Sequence, residues 1–312
     1  MLPNLVIAGA PKCGTSSLHR WLDDHPAACG SRPKELFYLM DEGHPLRQGP
    51  HEHSRERVER YEQFFTHCSA AAQVRFEATT HYVYQRTARE VLADLPTEPL
   101  VLFMLRKPAE RVRSSFRFTK NNLANISREM SFARYVEAVL NGNFDENVKQ
   151  HFYDPASAHV LKRDVQYSRY VEPLAQWRKH LGEARMLIML FEDMKKCPRS
   201  LMKQVAARVG IAPGFYDDYD FGAQNKSYRV RNKWVHRWAR YLNDYFGNGW
   251  LKEAAKRSYL AVQQKKQERG GEEDERAFRK LERYFAPYNR QLADEFDLSL
   301  AAWSTSGKRA ES

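Results

Sequence analysis

The sequence predicts an α/β fold in which helices flank a central parallel β-sheet, with a helical region near the C-terminal end. The first observation is a set of short apolar runs without alternating polar residues, which is typical of strands buried on both faces. The second is that a pattern with helical spacing follows each run, because strand–helix alternation favours parallel pairing. The third is size: 312 residues, 42% of them hydrophobic, can form a large core.

Each predicted strand is followed by a predicted helix. The strands are predicted at residues 5–9, 74–78, 100–105 and 186–191. The helices that follow them are predicted at residues 15–24, 86–95, 109–119 and 198–209. Further helices are predicted at residues 132–140, 167–181 and 233–296, the last interrupted by an exposed loop at 270–275. We expect residues 1–303 to form a single domain and residues 304–312 to form a disordered tail.

The positive charge of the chain is concentrated in one region. Fifty Lys and Arg against 39 Asp and Glu give a net charge of +11. Residues 225–269 hold twelve basic and three acidic side chains, which is +9 of that total. Such an excess indicates a partner rich in phosphate, sulfate or carboxylate.

Aromatic residues recur at helical spacing within this basic region. Three interpretations stay open: a stripe that faces the core, a helix at an anionic membrane surface, and a cleft for an acidic polysaccharide. The aromatic residues concerned are Trp234, Trp238, Tyr241 and Tyr245.

Membrane spans, signal peptides and cysteine-based sites are not expected. No run approaches the roughly 18 apolar residues of a transmembrane helix. The first residues lead directly into a strand pattern, without a charged segment or a cleavage site. No CxxC pair occurs, so neither a zinc site nor a disulfide framework is predicted from Cys13, Cys29, Cys68 and Cys197. We therefore expect a cytoplasmic protein, with the inner membrane surface as a site of peripheral contact for the basic region.

The loop between the first strand and the first helix has the features of a phosphate-binding loop. Gly9 and Gly14 have the spacing of a Walker A motif, but Thr15 stands where that motif has its lysine, and the lysine comes earlier, at Lys12. Backbone N–H groups at such a helix start bind phosphate. We therefore predict a 5′-phosphate site without the lysine that reaches a γ-phosphate. Its predicted residues are Lys12, Gly14, Thr15, Ser16 and Ser17.

A second candidate anion site follows the most apolar strand. Residues 105–116 leave this strand and begin a helix with Pro108 in its first turn. Arg106 and Ser114 are placed to converge near the carboxyl edge of the sheet, where ligands bind in open α/β folds. The two motifs together predict a nucleotide with two separate phosphate groups.

These motifs resemble those of the sulfotransferases that use 3′-phosphoadenosine 5′-phosphosulfate (PAPS). Residues 11–18, Pro-Lys-Cys-Gly-Thr-Ser-Ser-Leu, are similar to the 5′-phosphosulfate loop of that family, and residues 106–116 are similar to its 3′-phosphate motif. Residues 170–177 and 187–194 resemble its later helix and strand, and residues 285–292 resemble its C-terminal helix. The resemblance implies a P-loop-like fold with a central parallel sheet.

The resemblance also implies roles for individual residues. Lys12 would neutralise the charge that grows on the leaving group, and Arg106 with Ser114 would bind the 3′-phosphate. Lys226 and Arg231 lie where the family closes a basic loop over the cofactor, which makes them candidate 3′-phosphate ligands.

A candidate general base comes from a further similarity. Residues 34–38, Lys-Glu-Leu-Phe-Tyr, resemble the glutamate-containing segment of heparan-sulfate-type and bacterial carbohydrate sulfotransferases, which assigns the base to Glu35. Glu77 begins a segment similar to the second acidic segment of the family, but Ala78 stands where many glycan enzymes have lysine.

The expected reaction is transfer of a sulfuryl group from PAPS to a hydroxyl, or an amine, of a carbohydrate, glycolipid or natural-product acceptor. No metal is expected, because cations of the protein already hold the departing bisphosphate. A P-loop nucleotide or small-molecule kinase is the alternative, and Thr15 argues against it. A basic nucleic-acid-binding protein is a further alternative, but it leaves both phosphate motifs unexplained.

Overall fold

Five parallel strands form a single sheet in the computed structural model, which describes residues 1–49, 59–222 and 271–304. The strands lie in the order β2-β3-β1-β4-β5, and each neighbouring pair is parallel. Their bounds are β1 Leu5–Gly9, β2 Ala28–Gly30, β3 Val74–Glu77, β4 Leu100–Leu105 and β5 Met186–Leu190. The predicted α/β class with a central parallel sheet is confirmed.

Helices connect and flank the strands. The α-helices of the first half are α1 Thr15–Asp23, α2 Arg86–Asp94, α3 Pro108–Arg117, α4 Phe132–Leu140 and α5 Glu146–Lys149. Those that follow are α6 Pro155–Tyr167, α7 Val171–Leu181, α8 Phe191–Lys196, α9 Pro198–Val209 and α10 Glu272–Phe296. A π-helix, Phe118–Asn122, continues α3, and short 3₁₀ helices occur at Glu62–Phe65, Tyr82–Tyr84, Glu183–Arg185, Pro213–Tyr216 and Ala301–Trp303.

The strand order places β1 at the centre of the sheet. The chain runs from β1 to β2 and β3 on one side, and then to β4 and β5 on the other. All residues of β1 and β4 are buried, which explains their uninterrupted apolar sequences. Ligands of open α/β sheets bind where the order reverses, at the carboxyl ends of the strands. The loops after β1, β3 and β4 meet this edge of the sheet.

The chain divides into two compact units, each described here by itself. The first unit takes its residues from Met1–Arg111, Gln166–Gln224 and Glu282–Ser312 and contains the sheet. In its core, the ring of Trp177 packs 5.3 Å from that of Phe103, and the indole N–H donates to the carbonyl of Val83. The three segments of the first unit are far apart in sequence, and together they form one core.

The second unit takes its residues from Val112–Val165 and Asn225–Leu281. Within it, Arg113 forms an ion pair with Glu275 (3.1 Å) and lies over the ring of Phe278. The N–H of Ala133 donates to the carboxylate of Asp274. These contacts fix the N-terminal part of α10 against α3 and α4. That residues 1–303 act as one domain stays a prediction.

The structure differs from the prediction at several elements. The edge strand β2 was not predicted, because Ala28-Cys29-Gly30 is too short for an apolar pattern. The helix predicted at residues 167–181 is confirmed as α7, but it begins later, at Val171, and α6 before it was not predicted. The loop predicted at residues 270–275 is wrong from residue 272 onward, because α10 begins at Glu272. Four acidic residues there form the first turn of α10, where negative charge favours a helix.

A disulfide between Cys29 and Cys68 contradicts the expectation that no disulfide is present. It joins β2 to the segment after the 3₁₀ helix Glu62–Phe65, with Cα atoms 5.8 Å apart. The two cysteines are 39 residues apart in sequence, so no local pattern predicts that they pair. Cysteine usage therefore no longer supports a reducing compartment.

Several predictions fall on residues outside the described ranges. They are the helix at residues 233–269, the aromatic residues within it, the candidate ligands Lys226 and Arg231, and residues 305–312 of the tail. Within the described ranges, no helix has both the length and the apolar character that crossing a membrane requires.

Candidate active site

The phosphate-binding loop connects β1 with α1 and depends on two glycines. A Cβ atom at Gly9 would lie 2.7 Å from the side chain of Val83 and 2.8 Å from the carbonyl oxygen of Thr80. Gly14 has a φ of +84°, and a Cβ there would lie 2.7 Å from the ring of Phe191. The loop is therefore packed so closely on its neighbours that only glycine fits at both positions.

Lys12 and the hydroxyl residues surround the start of α1. Lys12 has a φ of +69° and is half-buried. Gly14 is the N-cap residue, and its carbonyl accepts hydrogen bonds from the N–H groups of Ser17 and Leu18. The hydroxyl residues differ in exposure: Thr15 and Ser17 are buried, whereas Ser16 faces solvent.

Arg106 lies against the phosphate-binding loop. Its guanidinium Nη1 donates to the carbonyl oxygen of Lys12 (3.3 Å), and Nη2 lies 3.4 Å from the carboxylate of Glu110. The guanidinium also lies over the ring of Phe191, 4.8 Å from its centre. The fold thus ties the guanidinium of Arg106 to the backbone of a residue 94 positions earlier in the sequence.

Two residues of the later motifs fix the backbone next to Arg106. The hydroxyl of Tyr170 donates to the carbonyl of Arg106 (2.9 Å). The carboxylate of Glu192 accepts from the N–H of Lys107 (3.1 Å) and from the indole N–H of Trp303 (2.8 Å). These contacts give a structural reason for the motifs at residues 170–177 and 187–194. They hold the turn between β4 and α3.

Cys13, in the middle of the phosphate-binding loop, is not a nucleophile. It is fully buried, and its thiol lies 3.7 Å from the hydroxyl of Tyr170. Burial raises the pKa of the Cys13 thiol to about 11, against the opposing effect of Arg111. The thiol therefore remains protonated near neutral pH.

Ser114 lies in the second compact unit, in the second turn of α3, where it is half-buried. Arg106 belongs to the first unit. The role predicted for Ser114 at the 3′-phosphate stays a prediction, as do those of Lys226 and Arg231.

Glu35 lies in the segment that crosses the end of β3. Its side chain is about one-third exposed, with one carboxylate oxygen 3.0 Å from the ammonium of Lys34. The other oxygen accepts a hydrogen bond from the hydroxyl of Thr80 (3.4 Å). Since the carbonyl of Thr80 also faces Gly9, a single residue connects Glu35 to the phosphate-binding loop.

Glu77 is the residue whose importance the sequence did not reveal. It ends β3, is completely buried, and accepts hydrogen bonds from the hydroxyls of Tyr61 and Thr79. Desolvation by burial raises the pKa of Glu77 to about 7, although these hydrogen bonds lower it. The signals for it in the sequence are its place at the end of a strand and the similarity of its segment to the second acidic segment of the family.

One group of potential metal ligands occurs among the described residues. It comprises Cys29, His67 and Cys68, whose ligand atoms lie within 4.8 Å of one another. In this structure the two sulfurs are bonded to each other, so neither is a thiolate that could bind a metal.

The fold and the loop after β1 define a sulfotransferase-type domain, and the chain belongs to the sulfotransferase domain family, whose model matches residues 2–220. The crystal structure of a sulfotransferase from Alicyclobacillus acidocaldarius covers 97% of this chain and 99% of its own, with a TM-score of 0.62 and 19% identity. That likeness establishes a shared fold. The family and the P-loop-like fold that the motifs predicted are confirmed.

Curated relatives carry a related domain within longer proteins. Bifunctional heparan sulfate N-deacetylase/N-sulfotransferase 1 of Caenorhabditis elegans is 20% identical over 235 residues, which is 74% of this chain and 24% of that protein. Bifunctional heparan sulfate N-deacetylase/N-sulfotransferase 2 of Bos taurus is 23% identical over 214 residues, or 68% and 22% of the two chains. The chain thus spans about a quarter of the length of these relatives.

Proposed function

We propose that this protein transfers a sulfuryl group from PAPS to a hydroxyl or amine of a carbohydrate, glycolipid or natural-product acceptor. One observation carries the proposal: the hydrogen bond from Arg106 to the backbone carbonyl of Lys12, which ties the turn after β4 to the phosphate-binding loop. Membership of the sulfotransferase family supports it.

The residues of the loop fit a nucleotide that carries a 5′-phosphosulfate. The close packing at Gly9 and Gly14 fixes the path of the loop backbone next to Lys12. PAPS supplies a sulfuryl group whose bond to the 5′-phosphate is ready to break. We assign to Lys12, to the backbone N–H groups of residues 14–16 and to the hydroxyls of Thr15, Ser16 and Ser17 the stabilisation of the negative charge left on that phosphate.

Arg106 provides the choice between PAPS and ATP. A guanidinium forms charge-assisted, two-point hydrogen bonds with phosphate, and the contacts of Arg106 with Lys12 and Phe191 hold it in place. We assign Arg106 and Ser114 to the 3′-phosphate, with Lys226 and Arg231 as further ligands. No metal is proposed, because these cations supply the positive charge that the bisphosphate needs.

Glu35 is the proposed general base. Its exposed fraction gives an acceptor access to the carboxylate, and the Thr80 contact keeps it near the phosphate-binding loop. The carboxylate would take the proton of the acceptor as the oxygen or nitrogen attacks sulfur. General bases contribute typically about 10²–10⁴-fold to rate.

We further propose a cytoplasmic location, with peripheral contact of the basic region with the inner membrane surface, in a bacterial cell. Nucleic acid is not needed as a partner, because the phosphate motifs assign the essential cations to one nucleotide. The acceptor is a small molecule, glycan or lipid.

Calorimetric titration tests the donor. We expect micromolar binding of adenosine 3′,5′-bisphosphate and much weaker binding of ATP. Binding of ATP without the bisphosphate would overturn the proposal in favour of a kinase. A steep salt dependence of nucleic-acid binding, with neither nucleotide bound, would favour the nucleic-acid-binding alternative.

Transfer from radiolabelled PAPS to a panel of carbohydrates, glycolipids and phenolic natural products tests the reaction. The variant Lys12→Ala should lose nearly all transfer, whereas Lys149→Ala, which removes an exposed lysine paired with Glu146, should retain it. If Glu35→Gln keeps the wild-type turnover at saturating acceptor, Glu35 is not the base.

A further inference from the structure

Glu77 is surrounded by hydroxyl groups. Its carboxylate accepts hydrogen bonds from the hydroxyls of Thr79 (2.6 Å) and Tyr61, and the hydroxyl of Tyr82 lies beside it. All four side chains are completely buried. Hydroxyl groups therefore surround the carboxylate in the interior of the first compact unit.

Two of these hydroxyls also hold the backbone of the segment that carries Glu35. The oxygen of Thr79 accepts from the N–H groups of Leu36 (2.8 Å) and Phe37 (3.3 Å). The oxygen of Tyr82 accepts from the N–H groups of Tyr38 and Leu39, both at 3.1 Å. Four consecutive backbone N–H groups, beginning directly after Glu35, thus donate to two side chains, of which Thr79 is hydrogen-bonded to Glu77 and Tyr82 lies beside it.

The directions of these hydrogen bonds follow from the chemistry of the groups. A hydroxyl has one hydrogen to donate and two lone pairs to accept. If Thr79 and Tyr82 each accept two N–H groups, the single hydrogen of each must go to another acceptor. An ionised carboxylate, which only accepts, satisfies both of them and the hydroxyl of Tyr61 as well.

We propose that Glu77 is a positioning residue that places Glu35 by directing the hydroxyls of Thr79 and Tyr82 toward itself and leaving their lone pairs for the backbone of residues 36–39. This inference rests on the proposed function for the role of Glu35 as a base. Its structural part, the anchoring of the four N–H groups, is independent of that role.

The conformation of Phe37 shows why an anchor is needed here. Its φ is +49°, in the left-handed region that side chains other than glycine rarely adopt. Such a residue persists only where its surroundings hold it. The hydrogen bonds of Phe37 and its neighbours to Thr79 and Tyr82 provide that restraint, two residues from the carboxylate of Glu35.

The variant Glu77→Gln tests the direction of the bonds with little change in shape. Its amide would offer N–H donors where the carboxylate accepts, so at least one of the two hydroxyls must turn its hydrogen away. That hydroxyl then loses a lone pair for a backbone N–H, and a buried donor left unsatisfied is costly.

Amide hydrogen exchange at pH 8 measures the anchoring directly, without a substrate. We expect Glu77→Gln to speed exchange at residues 36–39 roughly tenfold or more. The variant Thr79→Val should affect residues 36 and 37 first, and Tyr82→Phe residues 38 and 39. Thr79→Ser keeps a hydroxyl and should restore protection. Unchanged exchange at all four residues in Glu77→Gln and Thr79→Val would overturn the proposal.

Matched variants control for the loss of any buried hydroxyl. Thr119→Val removes a buried threonine hydroxyl that donates to the carbonyl of Ser115. Tyr216→Phe removes a buried tyrosine hydroxyl that donates to the carbonyl of Trp21. Neither should change exchange at residues 36–39. If both do so as strongly as Thr79→Val and Tyr82→Phe, the effect is general loosening and the proposal is wrong.

Kinetics then tests the consequence for Glu35. In Glu77→Gln and Thr79→Val we expect kcat to fall roughly 10- to 100-fold, because misplacement of a reacting group costs about that much. The Kd of adenosine 3′,5′-bisphosphate should stay within about twofold, since the phosphate contacts are untouched. Thr79→Ser should recover most of kcat.

The outcomes separate this inference from the proposed function. If exchange quickens but kcat does not change, Glu77 does not position the base, and the inference is overturned. If the wild-type protein binds no bisphosphate and transfers no sulfuryl group, the proposed function fails, while the exchange pattern still decides the anchoring.

Discussion

Arg106 donates a hydrogen bond from its guanidinium to the backbone carbonyl of Lys12. This contact ties the turn after β4 to the loop after β1, so the two candidate phosphate sites are not independent. A change at either residue should therefore alter how the protein binds a nucleotide with two phosphate groups.

We expect Arg106→Ala to weaken the binding of adenosine 3′,5′-bisphosphate roughly 10- to 100-fold, because hydrogen bonds to charged groups contribute about 1.5–3 kcal/mol. Binding of adenosine 5′-phosphate should weaken much less. Calorimetric titration of both nucleotides makes the comparison. Arg276→Ala, which removes an exposed arginine of α10 paired with Glu272, is the control and should bind both as the wild type does. An equal loss for both nucleotides in Arg106→Ala would contradict a 3′-phosphate role.

Gly14→Ala should destabilise the protein more than Gly210→Ala does. Both glycines have a positive φ, +84° and +80°, so both substitutions carry a backbone cost of about 1 kcal/mol. A Cβ at Gly210 meets no atom within 4 Å, whereas at Gly14 it meets Phe191 and Met194. Urea unfolding of the two variants measures the difference, which we expect to be about 1–3 kcal/mol from overpacking. Equal free energies of unfolding for the two variants would show that the loop accommodates the extra methyl group without overpacking.

Loss of the Cys29–Cys68 disulfide should lower the free energy of unfolding by about 2–4 kcal/mol, because the unfolded chain gains the freedom of a long loop. The variant Cys68→Ser tests this in urea unfolding. Cys197→Ser, which replaces an exposed free cysteine, is the control and should match the wild type. Mass spectrometry of the alkylated, unreduced protein should count two reactive thiols after unfolding. Four would disprove the bond.

The stability contributed by Glu77 should depend on pH. Its pKa rises from 4.5 to about 7 in the folded protein because of burial, and the groups around it are the hydroxyls of Tyr61, Thr79 and Tyr82. The folded state therefore holds a proton that the unfolded state releases between these values. The contribution is fully present below about pH 4.5 and is lost as the pH rises through 7.

The test compares the unfolding free energies of the wild type and Glu77→Gln from pH 4.5 to 8. As the pH rises, the free energy of unfolding of the wild type should fall relative to that of Glu77→Gln by up to about 1.4 kcal/mol per pH unit. The difference should level off above pH 7. A constant difference across this range would mean that Glu77 titrates normally.

The sequence was sufficient for four of the five strands. Strands buried on both faces are continuous apolar runs, and β4, with six buried residues, is the clearest of them. The strand β2 was not predicted because it has three residues, too few for an apolar pattern, and is recognised only by its pairing with β3. Helix α6 was also not predicted, and the predicted start of α7 at residue 167 lies four residues before Val171.

Part of the candidate site was predictable because its residues directly follow predicted strands. Lys12 and Arg106 follow strands, and the carboxyl ends of parallel strands share an edge, so their proximity follows from order alone. The disulfide and the surroundings of Glu77 depend on how residues 31–39 and 61–68 fold over that edge. No local pattern encodes such a path, and the hydroxyl of Tyr61 reaches Glu77 across 16 residues of sequence.

Trp303 gives the protein an optical reporter of its own nucleotide site. Its indole N–H is bonded to Glu192, whose other carboxylate oxygen holds the backbone of Lys107, the residue after Arg106. Any movement of that turn changes the electrostatic environment of an indole, and with it the wavelength and intensity of its fluorescence. Titrations can therefore be followed by emission in the unlabelled protein, and Trp303→Phe identifies the part of the signal that arises there.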